Sequence, residues 1–197
     1  MQRIRLTPFG PEQGFTLIEL LITTAISGLI LGTMMNMFIT QRKTYAVQEQ
    51  ITEAMQNART AMDMMAREVR MAGYNPTRAA FQGIPYSATQ LQLQADRTGD
   101  GDVSDPDENV IYTYDSSTKQ IVCTTGGVSH VVANNIQSLT FTYHDGSGNA
   151  TTTTADIRQV DVTITARTAK PDQSYTANSG YRTYTLTSVI TARNLEL

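Results

Sequence analysis

The stretch "GFTLIELLITTAISGLILGTMMNMFI", residues 14–39, decides the fold. From Phe15 to Ile39 the only ionisable side chain is Glu19. A helix over these 25 residues, at about 1.5 Å each, reaches roughly 37 Å and can cross a hydrocarbon core of about 30 Å. A secretory signal peptide has a shorter apolar region with its cleavage site behind it. Here the plausible site, Gly14-Phe15, lies ahead of the run, so the apolar segment is expected to survive processing. Arg3 and Arg5 precede it and no basic cluster balances them until Arg42 and Lys43, which favours a cytoplasmic N-terminus. Glu19 is the anomaly. A charge inside the bilayer costs about 3 kcal/mol on insertion scales, so it normally finds a partner or a proton. A cut after Gly14 supplies a partner: an ammonium on Phe15, four residues from Glu19, and an equivalent ammonium on any neighbouring copy. The plainer alternative is a Glu snorkelling to the interface from a simple anchor helix.

Beyond Ile39 the chain turns polar, yet no Pro or Gly occurs before Gly73, so the helix is expected to run from Phe15 to Ala72. Ile51, Met55, Ala58, Met62, Met65, Val69 and Ala72 fall at alternating steps of four and three, one apolar stripe suited to a seam against a sheet. Gly73 and the following Tyr74-Asn75-Pro76 make a helix stop. Strand patterns follow at 90–94, 109–115 and 119–125, with a turn at "YDSSTK". Further alternation places Leu139, Phe141 and Tyr143 on one face, then Val160, Val162, Ile164 and Ala166, then Tyr184, Leu186 and Ile190. The polar connection 168–180 is the expected site of mobility. The segments predict an α+β chain: a long N-terminal helix, transmembrane in its first half, packed on an antiparallel β-sheet. Its parts are a leader at 1–14, a membrane helix at 15–39, an amphipathic continuation at 40–73, and a sheet domain at 74–197 with an acidic loop at 96–108.

Net charge is -3 with no Lys/Arg run, which argues against direct nucleic-acid binding. Cys123, the only cysteine, excludes an intramolecular disulfide and reads as a small buried hydrophobe. His130 and His144 sit in strand-like contexts without a Ser or Cys nucleophile motif, so no enzyme activity is expected. The loop "DRTGDGDVSDPDEN" carries chemistry. Asp96, Thr98, Asp100, Asp102, Ser104 and Asp107 occupy positions 1, 3, 5, 7, 9 and 12 of a calcium loop, with Gly101 at position 6. It departs from the EF-hand pattern at Thr98, at Asp107 in place of Glu, and in its strand-like flanks. A structural Ca²⁺ is the expected occupant, and a solvated acidic loop the alternative. Gly28 and Gly32 form a small-xxx-small pattern that permits close helix packing in lipid.

The residues at 14–31 resemble the cleavage and assembly motif of type IV prepilins and type II secretion pseudopilins: a leader ending in Gly, then Phe, then Glu fifth after the scissile bond. Gly14, Phe15, Thr16, Leu17, Ile18, Glu19 and Leu20 all match it. The resemblance implies that a prepilin peptidase cuts after Gly14 and methylates the amine of Phe15, and that Glu19 pairs with the N-terminal amine of an adjacent subunit. Members that cap the extreme tip tend to lack this Glu, which would place the chain below another subunit. The whole chain resembles the pilin fold. Residues 61–74, 157–168 and 184–195 look like PilW-type minor pilins and, more distantly, the J-type minor pseudopilin. Major pilins commonly carry a Pro where this chain has Asn36, a departure that argues against the role of bulk subunit. The resemblance thus implies a minor pilin that initiates assembly or joins the tip complex of a type IV pilus. Its partners would be the peptidase, other major and minor pilins, the inner membrane and a tip adhesin. It would reside first in the inner membrane and then in a surface pilus or the periplasm. The alternatives are a J-type pseudopilin and a membrane-anchored, calcium-dependent binding module.

Overall fold

The computed structural model describes residues 14–195; the leader expected at 1–14, with Arg3 and Arg5, lies outside the described residues except for Gly14. The expected helix forms as one element, α1 (Leu17–Met71). Contacts divide the chain into two compact units, Met1–Ala46 and Val47–Leu197. The segment expected as an amphipathic continuation at 40–73 is thereby shared between the two units.

In the first unit every described residue of the apolar run is exposed, from Phe15 at 88% to Ile39 at 42%. This is the one described helix long and apolar enough to cross a membrane. Its threonine hydroxyls bond locally. Thr23 and Thr24 donate to the carbonyls of Glu19, Leu20 and Leu21, Thr33 to Ile30 and Thr40 to Asn36. Such back-bonding hides hydroxyls that an apolar solvent would leave unpaired. Asn36 likewise donates to Gly32 and sits within unbroken helix.

In the second unit α1 buries Ala54, Ala58, Ala61, Met62, Met65, Ala66 and Val69. The seam is broader than the single stripe predicted. Ala54, Ala61 and Ala66 join it, while Ile51 and Met55 are only half-buried. Seven strands complete the unit: β1 (Gln90–Gln94), β2 (Asn109–Asp115), β3 (Gln120–Thr125), β4 (Val128–Ala133), β5 (Ile136–His144), β6 (Gln159–Arg167) and β7 (Thr183–Thr191). They form two antiparallel sheets rather than the single sheet expected: β1-β2-β3-β4 and β5-β6-β7.

The reason lies around β4. Gly126 and Gly127, with φ of 54° and 76°, turn β3 back into a hairpin with this short edge strand, which is exposed over most of its length. Asn135 then takes a left-handed conformation at φ 57°. β5 leaves the first sheet there and pairs with β6, from Ile136 opposite Ala166 to His144 opposite Gln159. The two sheets still share one core. Leu91, Tyr112 and Ile121 from the first meet Val160, Val162, Ile164, Ala166 and Ile190 from the second, together with the helix seam. Full burial of each such aliphatic side chain contributes about 1.5–3 kcal/mol.

The helix stop is stitched from three sides. Gly73, at φ 80°, donates its N–H to Gln94 at 2.8 Å, and Asn194 donates to the carbonyls of Arg70 and Met71. Gly83 packs so closely that a Cβ there would stand 2.6 Å from the Gly73 nitrogen. The long polar connection makes several bonds of its own. Asp172 binds Arg182 at 2.8 Å, Arg182 stacks on Tyr175, and Lys170 N–H donates to the Gln50 side chain.

Candidate functional site

Gly14 is exposed and lies, with Phe15 and Thr16, in non-helical chain ahead of α1. A Cβ built on Gly14 meets nothing within 4 Å, and its φ is not positive. Nothing among the described residues therefore requires glycine there. Glu19 is answered partly by its own chain. Thr16 N–H and Thr16 Oγ1 both donate to Glu19 Oε2 at 2.8 Å, while Glu19 N–H donates back to Thr16 Oγ1 at 3.3 Å. With Leu17 the first helical residue, Thr16 is the N-cap and Glu19 the third residue of the helix: a reciprocal capping box. The Thr-x-x-Glu spacing ahead of an apolar run is the sequence signal of this box. The carboxylate also lies where the helix dipole favours an anion. Glu19 Oε1 has no hydrogen-bond partner among the described residues.

The acidic loop is ordered around Asp96, which is wholly buried. Its Oδ1 accepts from Gly99 N–H at 2.6 Å, and its Oδ2 from Gly101 N–H at 3.1 Å and Thr77 Oγ1 at 3.0 Å. Gly99 and Gly101 have φ of 79° and 93°, which explains their place in the loop. Of the expected ligands, Asp96 and Asp100 come together. Asp102 instead accepts from the N–H and hydroxyl of Ser104, which holds its carboxyl below the usual range. Asp107 pairs with the Thr125 hydroxyl. Thr98 donates from its N–H and hydroxyl to Glu108 Oε1, and Arg97 N–H makes a third bond to that oxygen. Glu108, one place beyond the twelve-residue spacing, is the residue that sequence reasoning missed. The left-handed Asp107, at φ 73°, turns the chain so that Glu108 points inward, where it is 1% exposed.

Oxygens of Asp96, Asp100 and Glu108 lie within 4.8 Å of one another. The Arg97 guanidinium is engaged elsewhere, in an ion pair with Glu68 on α1. Cys123 is buried, and burial raises its thiol pKa, as suits a packing residue. His130 is exposed on β4. His144 contacts the Gly148 carbonyl and the Asp161 carboxylate.

A membrane-length apolar helix continuing into a unit with two antiparallel sheets, headed by a Gly-Phe junction and a Glu in the first helical turn, defines a pilin-like protein with a prepilin N-terminus. Residues 11–35 match the prokaryotic N-terminal methylation motif. Residues 47–183 match the family of prepilin peptidase-dependent protein B, and the chain belongs to that family. No curated protein is similar enough to the chain to count as a match. Dependence on a prepilin peptidase follows from the family and the motif, and both are consistent with membrane anchoring. Pilin-like families are structural rather than enzymatic.

Proposed function

We propose that the chain is a minor pilin of PilW-like type, cut after Gly14 and N-methylated on Phe15, that helps to initiate a type IV pilus or to form its tip complex. Before assembly it sits in the inner membrane with its N-terminus cytoplasmic; afterwards it belongs to a surface filament. The observation that carries the reading is Glu19: a carboxylate in the first turn of a fully exposed apolar helix, with one oxygen held by Thr16 and the other without a partner among the described residues. An N-terminal ammonium of an adjacent major or minor pilin suits that oxygen in charge and in depth. Two further observations support helix-to-helix packing in a filament. The apolar run is exposed and uncovered among the described residues, and Gly28 and Gly32 present a surface where an added Cβ meets nothing within 4 Å. A tip adhesin is a further partner on this reading. A J-type minor pseudopilin would use the same N-terminal machinery, and its distinguishing test is which secretion or pilus components co-purify.

The deciding experiment compares Glu19→Ala with the unaltered chain in sheared filaments and in membranes, with intact mass on each fraction. The expected result is a chain beginning at N-methylated Phe15 in both fractions, with the variant lost from filaments but retained in membranes. Glu19→Ala entering filaments as well as the parent would sink the assembly role. An uncleaved chain confined to membranes would do the same.

A further inference from the structure

We infer that the loop following β1 is a calcium site whose protein donors are Asp96, Asp100 and Glu108. Acidic side chains near one another are common and prove little. The second observation is the state of Glu108. Its side chain is 1% exposed, and while Oε1 accepts three hydrogen bonds, Oε2 is buried with no hydrogen-bond partner among the described residues. A carboxylate oxygen so placed is costly unless a cation or a proton answers it. The Arg97 guanidinium pairs with Glu68 and makes no hydrogen bond to it. The neighbouring carboxylates of Asp96 and Asp100 offer it no donor, and one cation shared by the three would answer all of them at once.

The donor set points to the metal. Carboxylate oxygens within 4.8 Å of one another leave room for one shared cation, and hard oxygen donors on a loop suit Ca²⁺, which accepts flexible geometry. Mg²⁺ demands a stricter octahedron and dehydrates reluctantly. All-oxygen donors exclude a soft transition metal. The loop is also tied to the end of α1, since Asp96 N–H donates to the Tyr74 carbonyl and Thr77 donates to Asp96. A bound calcium would therefore fasten loop, helix end and β2 together in a domain that has no disulfide to do so. This donor set differs from the linear calcium spacing of the loop, in which Asp102, Ser104 and Asp107 serve and Glu108 does not. It does not depend on the assembly reading.

The test uses the full chain in detergent micelles, stripped with EGTA and titrated with CaCl₂, and separately with TbCl₃ for luminescence. One Ca²⁺ per chain is expected, with a Kd no weaker than about 10⁻³ M. The thermal midpoint should rise by about 3–6 °C at a tenfold excess over Kd. Glu108→Gln and the exposed, milder Asp100→Asn should each weaken binding at least tenfold, while Asp102→Asn and Asp107→Asn stay within twofold of the parent. The site is overturned by an absence of any calcium-dependent shift or terbium signal. It is overturned equally if Glu108→Gln binds as the parent does, or if Asp107→Asn loses as much as Asp100→Asn. A Glu108→Gln chain equally stabilised in EGTA and in calcium would mean that a proton, not a metal, answers the buried oxygen.

Discussion

Asp172 shows how much a single residue does for a long connection. Its Oδ1 accepts from the Ser174 N–H and hydroxyl, and its Oδ2 from Arg182 Nε and Nη2. The Ser174 bonds, and then the Arg182 guanidinium, hold its carboxyl at about 2, below its ordinary 3.8. A depressed folded-state pKa gives stability that is present above about pH 4 and is lost as pH falls through about 2. The segment 168–180 should thus stay protected from amide exchange at pH 5 and open as pH drops towards 2. Asp172→Asn should open it at neutral pH; protection unchanged in that variant would refute the role. At this scale the sequence was readable wherever spacing alone decides geometry. Asp96 and Asp100 were placed by the calcium-loop count, and Val160 to Ala166 by alternation. Glu108 was not, because a left-handed residue at Asp107 reverses which side chain points inward, and the identity of an Asp does not announce that conformation.

At the scale of elements, the end of α1 is a tightly constrained joint. Gly73 was legible as a helix stop, and its positive φ already favours glycine, but the crowding around it comes from far away in sequence, from the Leu195 side chain that a Cβ would strike and from Gly83 packed against its backbone. A Cβ on Gly83 would meet the Gly73 nitrogen at 2.6 Å and its Cα at 2.7 Å, and backbone cannot yield as a side chain can. Gly83→Ala should therefore cost about 1–3 kcal/mol by overpacking, read as a lower thermal midpoint in micelles. Gly28→Ala, where an added Cβ meets nothing within 4 Å, should leave that midpoint unchanged. Six of the seven strands and the helix were visible as periodic patterns. The seventh, β4, was not: an exposed edge strand needs no alternation, and its signal was the Gly126-Gly127 turn before it. The split into two sheets was hidden for a related reason. Alternation fixes which face a residue takes, not which strand it pairs with, and the partner of β5 is set by the turn at Asn135.

At the scale of the whole molecule, the two units differ in how they treat apolar surface. Val47–Leu197 buries a shared apolar core, whereas the apolar side chains at 15–39 find no cover among the described residues. The full chain should partition into the detergent phase of Triton X-114 and resist alkaline carbonate extraction. Recovery in the aqueous phase would contradict a membrane-inserted helix. The family match covers most of the second unit and the methylation motif covers the start of the first, so each unit carries its own mark of the same kind of protein. The capping box at Thr16 and Glu19 adds a consequence for timing. On the proposed minor-pilin reading, a subunit whose lone carboxylate already has one oxygen held by its own chain would persist in the bilayer without a neighbour. A standing reservoir of such subunits would then accumulate before any filament exists, and filament birth would depend on encounters in the plane of the membrane rather than on the pace of protein synthesis.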